Sequence, residues 1–206
     1  MVGTATLRFP KRSQRALLAL LTAFAFRALW AQPFVAEGAC RDGEANGAFT
    51  LRTTEGRLLV SGAFARGQGT GTFVFWSDRG ARVAVVPYEN GRKTGTVAVW
   101  YRPPSVSAEA PRKSEAAYVD GRMHGEKRSW YQNGEHRTWL RYENGELVEA
   151  RAWSAAGSSL SEAAARAQAT RDADADETFY ATLEKLVASH APKCDVVSPQ
   201  EQERTK

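Results

Sequence analysis

Two cysteines, three histidines and two methionines are all that the 206 residues contain of those types, and this scarcity removes several classes of function. His124, His136 and His190 stand at no ligand spacing from one another, so the chain carries no zinc-binding pattern. No serine lies in a nucleophile-elbow context. Gly67-Gln68-Gly69-Thr70-Gly71 is rich in glycine but opens no strand–loop–helix unit, and the stretch from Gly91 to Gly95 lacks the order of a phosphate loop. Asp172-Ala173-Asp174-Ala175-Asp176 begins with the rhythm of a calcium loop, yet Glu177 stands where that loop needs glycine and Leu183 where it needs glutamate. The expectation is a chain with no catalytic residues, no metal and no cofactor.

Long hydrophobic runs are also missing. The longest uncharged apolar run near the start, Ala16 to Phe26, has 11 residues, whereas a bilayer span needs about 20. It follows Lys11, Arg12 and Arg15, and Ala31 offers a small residue before Gln32. That arrangement reads as a signal peptide over residues 1–31, cut near Ala31, with a retained anchor as the other reading. Glu37 argues against lipid attachment at Cys40, where an aliphatic residue is wanted. The whole chain carries a net charge of +5, but all of the excess lies in the leader, and the remainder has 23 basic and 23 acidic residues. A nucleic-acid binder needs a basic footprint that this balance does not provide, and steering to anionic lipid weakens with it. The expected location is periplasmic or secreted. In such a compartment Cys40 and Cys194 read as one disulfide, closing a loop that constrains the unfolded chain by roughly 5 kcal/mol; two buried thiols are the alternative.

What the chain does have is a period. Glycines with three residues between them recur as Gly43/Gly47, Gly67/Gly71, Gly91/Gly95 and Gly121/Gly125, and Gly145 continues the series with Glu149 in its partner's place. The leading glycines are spaced by 24, 24, 30 and 24 residues. Phe64, Tyr88, Tyr118 and Tyr142 keep the same register, as do Trp76, Trp100 and Trp130. Gly56, Gly80, Gly134 and Gly157 mark a second turn in each unit, and in the third unit a proline-rich insertion, Arg102 to Pro111, replaces it. Between the turns lie short runs of β-branched and aromatic residues such as Thr72-Phe73-Val74-Phe75-Trp76. One hairpin cannot bury its own apolar face, so the units are expected to lie side by side with like residues in columns, most of the aromatics in the core.

Tyr88-Glu89-Asn90-Gly91-Arg92-Lys93-Thr94-Gly95, Tyr118-Val119-Asp120-Gly121-Arg122-Met123-His124-Gly125-Glu126 and Trp130-Tyr131-Gln132-Asn133-Gly134 resemble the MORN-variant repeat of bacterial proteins. The resemblance covers about residues 43 to 157, fullest in the third and fourth units and reduced to glycines in the first. It implies stacked β-hairpins and a protein-binding or membrane-associated scaffold, and it brings no catalytic residues. The antitoxin role given to some family members fits poorly with an export signal.

The expected architecture is therefore mainly β: an elongated antiparallel meander of stacked hairpins over residues 32–157, a helical cap over 158–195 and a disordered tail over 196–206. Units start near residues 43, 67, 91, 121 and 145. Two helical stretches are predicted, Leu160 to Thr170 with Ser161 as cap and Asp176 to His190 with an apolar stripe, packing on the sheet or closing its end. Candidate binding residues are Trp139 and Trp153, which lie off the main tryptophan column, and Arg102, Arg112 and Lys113 at the insertion. The functional expectation is a non-catalytic scaffold in the cell envelope that binds a protein or envelope component, with no nucleic acid. Membrane-surface association is the first alternative and is not favoured. An envelope hydrolase is the second.

Overall fold

The computed structural model describes residues 34–103 and 110–194. The expected signal peptide, the centre of the insertion and the expected tail lie outside the described residues. One antiparallel sheet is built from β1 (Phe34–Arg41), β2 (Glu44–Thr53), β3 (Leu58–Ala65), β4 (Gln68–Trp76), β5 (Arg82–Glu89), β6 (Arg92–Lys93), β7 (Gly95–Trp100), β8 (Arg112–Val119), β9 (Arg122–Trp130), β10 (His136–Glu143) and β11 (Glu146–Ala152). The strands follow one another across the sheet in chain order, and the short β6 pairs with β5 beside this path. This is the predicted meander.

Two kinds of turn alternate, and both repeat. At Asn90-Gly91 the φ angles are 50° and 74°, and at Asp120-Gly121 they are 48° and 81°. Positive φ at both central residues defines the type I′ hairpin turn, whose twist matches that of the strands. These turns also stack: Gly67, Gly91, Gly121 and Gly145 donate their backbone N–H to the carbonyls of Ala45, Gly69, Lys93 and Met123, one unit earlier in each case. At the other end of the hairpins, Gly56, Gly80, Gly134 and Gly157 each donate to the residue three earlier, Thr53, Ser77, Tyr131 and Ser154. In the third unit Tyr101 N–H donates to the Pro111 carbonyl, as Ser77 N–H does to Ala81 and Tyr131 N–H to Glu135 in its neighbours, so the insertion grows out of an ordinary turn position.

Next to each of these second turns the ladder skips one residue. Leu51 pairs with Val60 while Arg52 pairs with Leu58, leaving Leu59 over. Val83, Lys113 and Arg137 are left over at the equivalent positions of the following units. A β-bulge of this kind re-aims a side chain. Here it gives each unit two successive residues on the same side of the sheet.

That side is covered by one helix, α1 (Glu162–His190), where the sequence predicts two stretches. The join fails to break because Thr170 to Asp176 holds neither glycine nor proline and alternates with alanine. Ser161 caps the start, its hydroxyl accepting from the Ala164 N–H. A helix of 29 residues is about 43 Å long, and ten strands side by side span about 43 Å. α1 therefore crosses the full width of one face. Its start packs over β10 and β11 through Ala165 and Ala169, against Leu140, Tyr142, Ala150 and Ala152. Its second half packs over the earlier strands through Tyr180, Leu183, Leu186 and Val187, against Phe49, Leu51, Val60, Phe64, Phe73 and Phe75. Just beyond its end, Cys194 is bonded to Cys40 in edge strand β1, with Cα atoms 5.7 Å apart. No helix among the described residues is long and apolar enough to cross a membrane.

Candidate functional site

The repeat makes the sheet face under α1 a set of columns, and four of them change character together. Phe49, Phe73 and Val97 are followed by Lys127; Leu51, Phe75 and Val99 by Ser129. Val60 and Ala84 are followed by Ser114 and Thr138, and the bulge residues Leu59 and Val83 by Lys113 and Arg137. The polar members fall on three adjacent strands, β8, β9 and β10. Over them α1 carries Asp172 and Asp176, one helical turn apart on its inner face.

The result is a polar cleft of about 270 Å³ between helix and sheet, lined by Tyr101, Lys113, Ser114, Lys127, Ser129, Arg137, Asp172 and Asp176. The Lys127 ammonium, on a side chain only 3% exposed, meets Asp176 Oδ2 at 2.5 Å. Arg137 Nη2 meets Asp172 Oδ1 at 2.7 Å, and the Gln168 amide donates to the same oxygen at 2.8 Å. Ser129 and Thr138 share a hydroxyl hydrogen bond of 2.6 Å. Among the described residues Asp172 Oδ2 is buried with no hydrogen-bond partner. Lys113 makes no ion pair among the described residues; its ammonium lies 5.9 Å from the Phe179 ring centre. At the rim, the Tyr101 hydroxyl donates to the Trp130 carbonyl at 2.9 Å. Burial raises the Tyr101 pKa and Asp172 adds to the rise, against the lowering effect of Arg137. A cleft of this kind holds fixed charges of both signs in a poorly hydrated space. It is suited to recognising a small polar molecule.

Among the described residues no helix covers the opposite face of the sheet. Across it runs a single row in which tryptophans alternate with cations or histidine: Trp76, Arg82, Trp100, Arg112, Trp130, His136 and Trp153. Trp76 pairs with Arg82 and Trp100 with Arg112 in the ladder. The Arg82 and Arg112 guanidinium groups lie 5.1 and 4.5 Å from the Trp100 ring centre. The His136 ring is 6.0 Å from that of Trp130 and 6.1 Å from that of Trp153. The tryptophans are half-buried by these neighbours. Burial, then the charge of Arg82, lowers the Arg112 pKa.

The residues singled out from the sequence separate onto the two faces. Trp139 is half-buried on the open face with the Arg151 guanidinium 5.1 Å from its ring centre. Trp153 proves to be a member of the tryptophan row, because each of Trp76, Trp130 and Trp153 stands four residues before its turn glycine. The tryptophans among the described residues belong to the open face, and the core aromatics are the Phe64, Tyr118 and Tyr142 column with Phe49, Phe73 and Phe75. Arg102 is exposed, 3.9 Å from Asp78. Arg112 stays on the open face and is paired with Glu115, whereas Lys113 is turned by its bulge into the cleft. Lys127 and Arg137 carry no signal in the sequence reading, and Asp172 and Asp176 enter it only through the calcium-loop rhythm. The substitution of polar for apolar residues down each repeat column was the available signal. Among the described residues no three metal-ligating side chains gather. Neither a protein-family model nor a curated protein matches the chain.

Proposed function

We propose that this protein is an exported, non-catalytic scaffold of the bacterial cell envelope, of the MORN-variant kind, that binds an acidic partner protein or envelope component on its uncovered sheet face. The row from Trp76 to Trp153 carries the proposal. It sets large aromatic rings and cations at regular strand spacing on a surface stiffened by a continuous hydrogen-bonded ladder. Tryptophan and arginine are the residue types over-represented where binding energy concentrates. Charge complementarity selects an acidic occupant: Arg82 has no carboxylate partner among the described residues, and Arg102 is held only loosely by Asp78. The Cys40–Cys194 disulfide is consistent with an oxidising compartment, which supports the envelope as the location.

Site-specific photo-crosslinking in intact cells tests this reading. A crosslinker at His136 should capture a partner that one at Glu177, on the exposed side of α1, does not. The same band should disappear when Arg82→Glu is added. Crosslinks that map to the helix, or that survive the charge reversal, would sink the proposal.

A further inference from the structure

We infer, resting on the acidic-partner reading of the uncovered face, that its occupant is a polyproline II segment of a partner protein carrying one acidic residue in every three. Spacing points to this conformation first. Trp76, Trp100 and Trp130 end β4, β7 and β9, Trp153 follows β11, and one strand lies between each and the next. Neighbouring strands lie about 4.8 Å apart, so the tryptophans recur about every 9.6 Å. A polyproline II helix has three residues per turn and a rise of about 3.1 Å, so equivalent residues recur about every 9.3 Å along one side. A β-strand rises about 3.3 Å per residue and alternates sides, so its same-side residues fall about 6.6 Å apart and lose the register.

Unused donors point the same way. Among the described residues the indole N–H groups of these tryptophans make no hydrogen bond, and none is buried without a partner. Each is a donor in want of an acceptor. A polyproline II segment has no internal hydrogen bonds, so every third carbonyl is free to accept from one tryptophan. An α-helix uses its carbonyls internally and offers none. Charge then sets the composition. Arg82 and Arg112 stand on the intervening strands over the Trp100 ring, and His136 takes the next interval. Their period is that of the tryptophans. Arg112 is already paired with Glu115, whereas Arg82 has no carboxylate partner among the described residues. An acidic side chain once per turn keeps step with this series.

Titration of the processed, disulfide-bonded chain with a synthetic peptide of Glu-Pro-Pro triplets, about five turns long, tests the inference by tryptophan fluorescence and calorimetry. Saturable binding at low ionic strength is expected. Glu-Gly-Gly triplets keep the charge spacing without the fixed backbone, and Glu-Pro pairs keep the backbone with the wrong spacing. Each should bind at least about tenfold more weakly than the Glu-Pro-Pro peptide. Arg82→Glu should weaken the Glu-Pro-Pro peptide at least about tenfold. Trp130→Phe keeps an aromatic ring, loses the N–H and should weaken it at least about threefold. Both variants should keep the parent's circular dichroism. The inference is overturned if the Glu-Pro-Pro peptide fails to bind, if either control peptide matches it, or if either variant binds it as the parent does. It is equally overturned if an acidic oligosaccharide binds where the peptide does not. A crosslink at His136 in cells that persists when the peptide fails overturns this inference alone, whereas loss of that crosslink overturns the reading of the face itself.

Discussion

The two halves of the sheet present the same backbone to the same helix and do opposite things with it. Under the second half of α1, the columns are Phe, Leu and Val, and they close on Tyr180, Leu183, Leu186 and Val187. Further along the helix toward its start, the same columns hold Lys113, Ser114, Lys127, Ser129, Arg137 and Thr138, and they meet two carboxylates. Turn chemistry dictates the ladder in both places, so side chains facing the helix can change without disturbing it. Energetically the halves are unequal. Each large apolar side chain buried in the first is worth about 1.5–3 kcal/mol. A buried ion pair is often no better than an apolar pair of similar volume. The first half is where stability resides, and the second retains its polarity for another purpose.

The largest effect is expected at the tie that holds the helix end to the apolar half. Replacing Cys40 and Cys194 by serine removes a crosslink between residues 154 apart in sequence and should lower stability by up to about 5 kcal/mol in urea unfolding. A loss below about 1 kcal/mol would show that packing alone holds α1 in place, in disagreement with loop-closure reasoning. Phe73→Ala should cost about 3–5 kcal/mol. Its ring lies over Gly62, where an added Cβ would collide with it, and packs edge-on against the Phe64 and Tyr88 rings. A cost near that of an exposed residue would break the assignment of stability to this half.

Alkaline pH should weaken the same half. Burial, ahead of Glu184 and Asp176, raises Tyr88, Tyr118 and Tyr180, with Tyr118 pushed up to about 12 and the other two further. An unfolded tyrosine ionises near 10.0. Above that point the unfolded chain gives up protons that the folded chain keeps. The contribution is therefore complete below about pH 10 and is lost as pH rises further. The urea midpoint should fall steadily between about pH 9 and about pH 12; a flat profile would contradict the burial of these hydroxyls.

Much of the sheet was legible because glycine spacing is a backbone signal. A residue pair with positive φ, such as Asn90-Gly91, marks its turn wherever it occurs. The bulges were not legible. Nothing in the residue types of Leu59, Val83, Lys113 and Arg137 announces that the ladder skips them, and without the skip Lys113 and Arg112 read as one basic patch. The continuous helix was missed because Asp172 and Asp176 look like a boundary until Lys127 and Arg137 are known to lie beneath them. Trp153 was set apart because its turn follows the last leading glycine by one residue fewer, although its own distance to Gly157 is regular.

The smallest expected change tests the comparison most sharply. Lys127→Met alone leaves Asp176 beside the helix without its cation, and Asp176→Leu alone leaves a 3% exposed lysine without its anion; each should cost about 3–5 kcal/mol, as breaking a buried pair does. The double variant removes both charges at similar volume. If the polar half is maintained for recognition, the double variant should return to within about 1 kcal/mol of the parent, because the cost of desolvating two ions disappears together with their attraction. A double-mutant cycle in urea gives the coupling directly. A double variant as unstable as the sum of its parts would mean that the ion pair itself stabilises the fold, and the contrast between the two halves would then be one of chemistry alone.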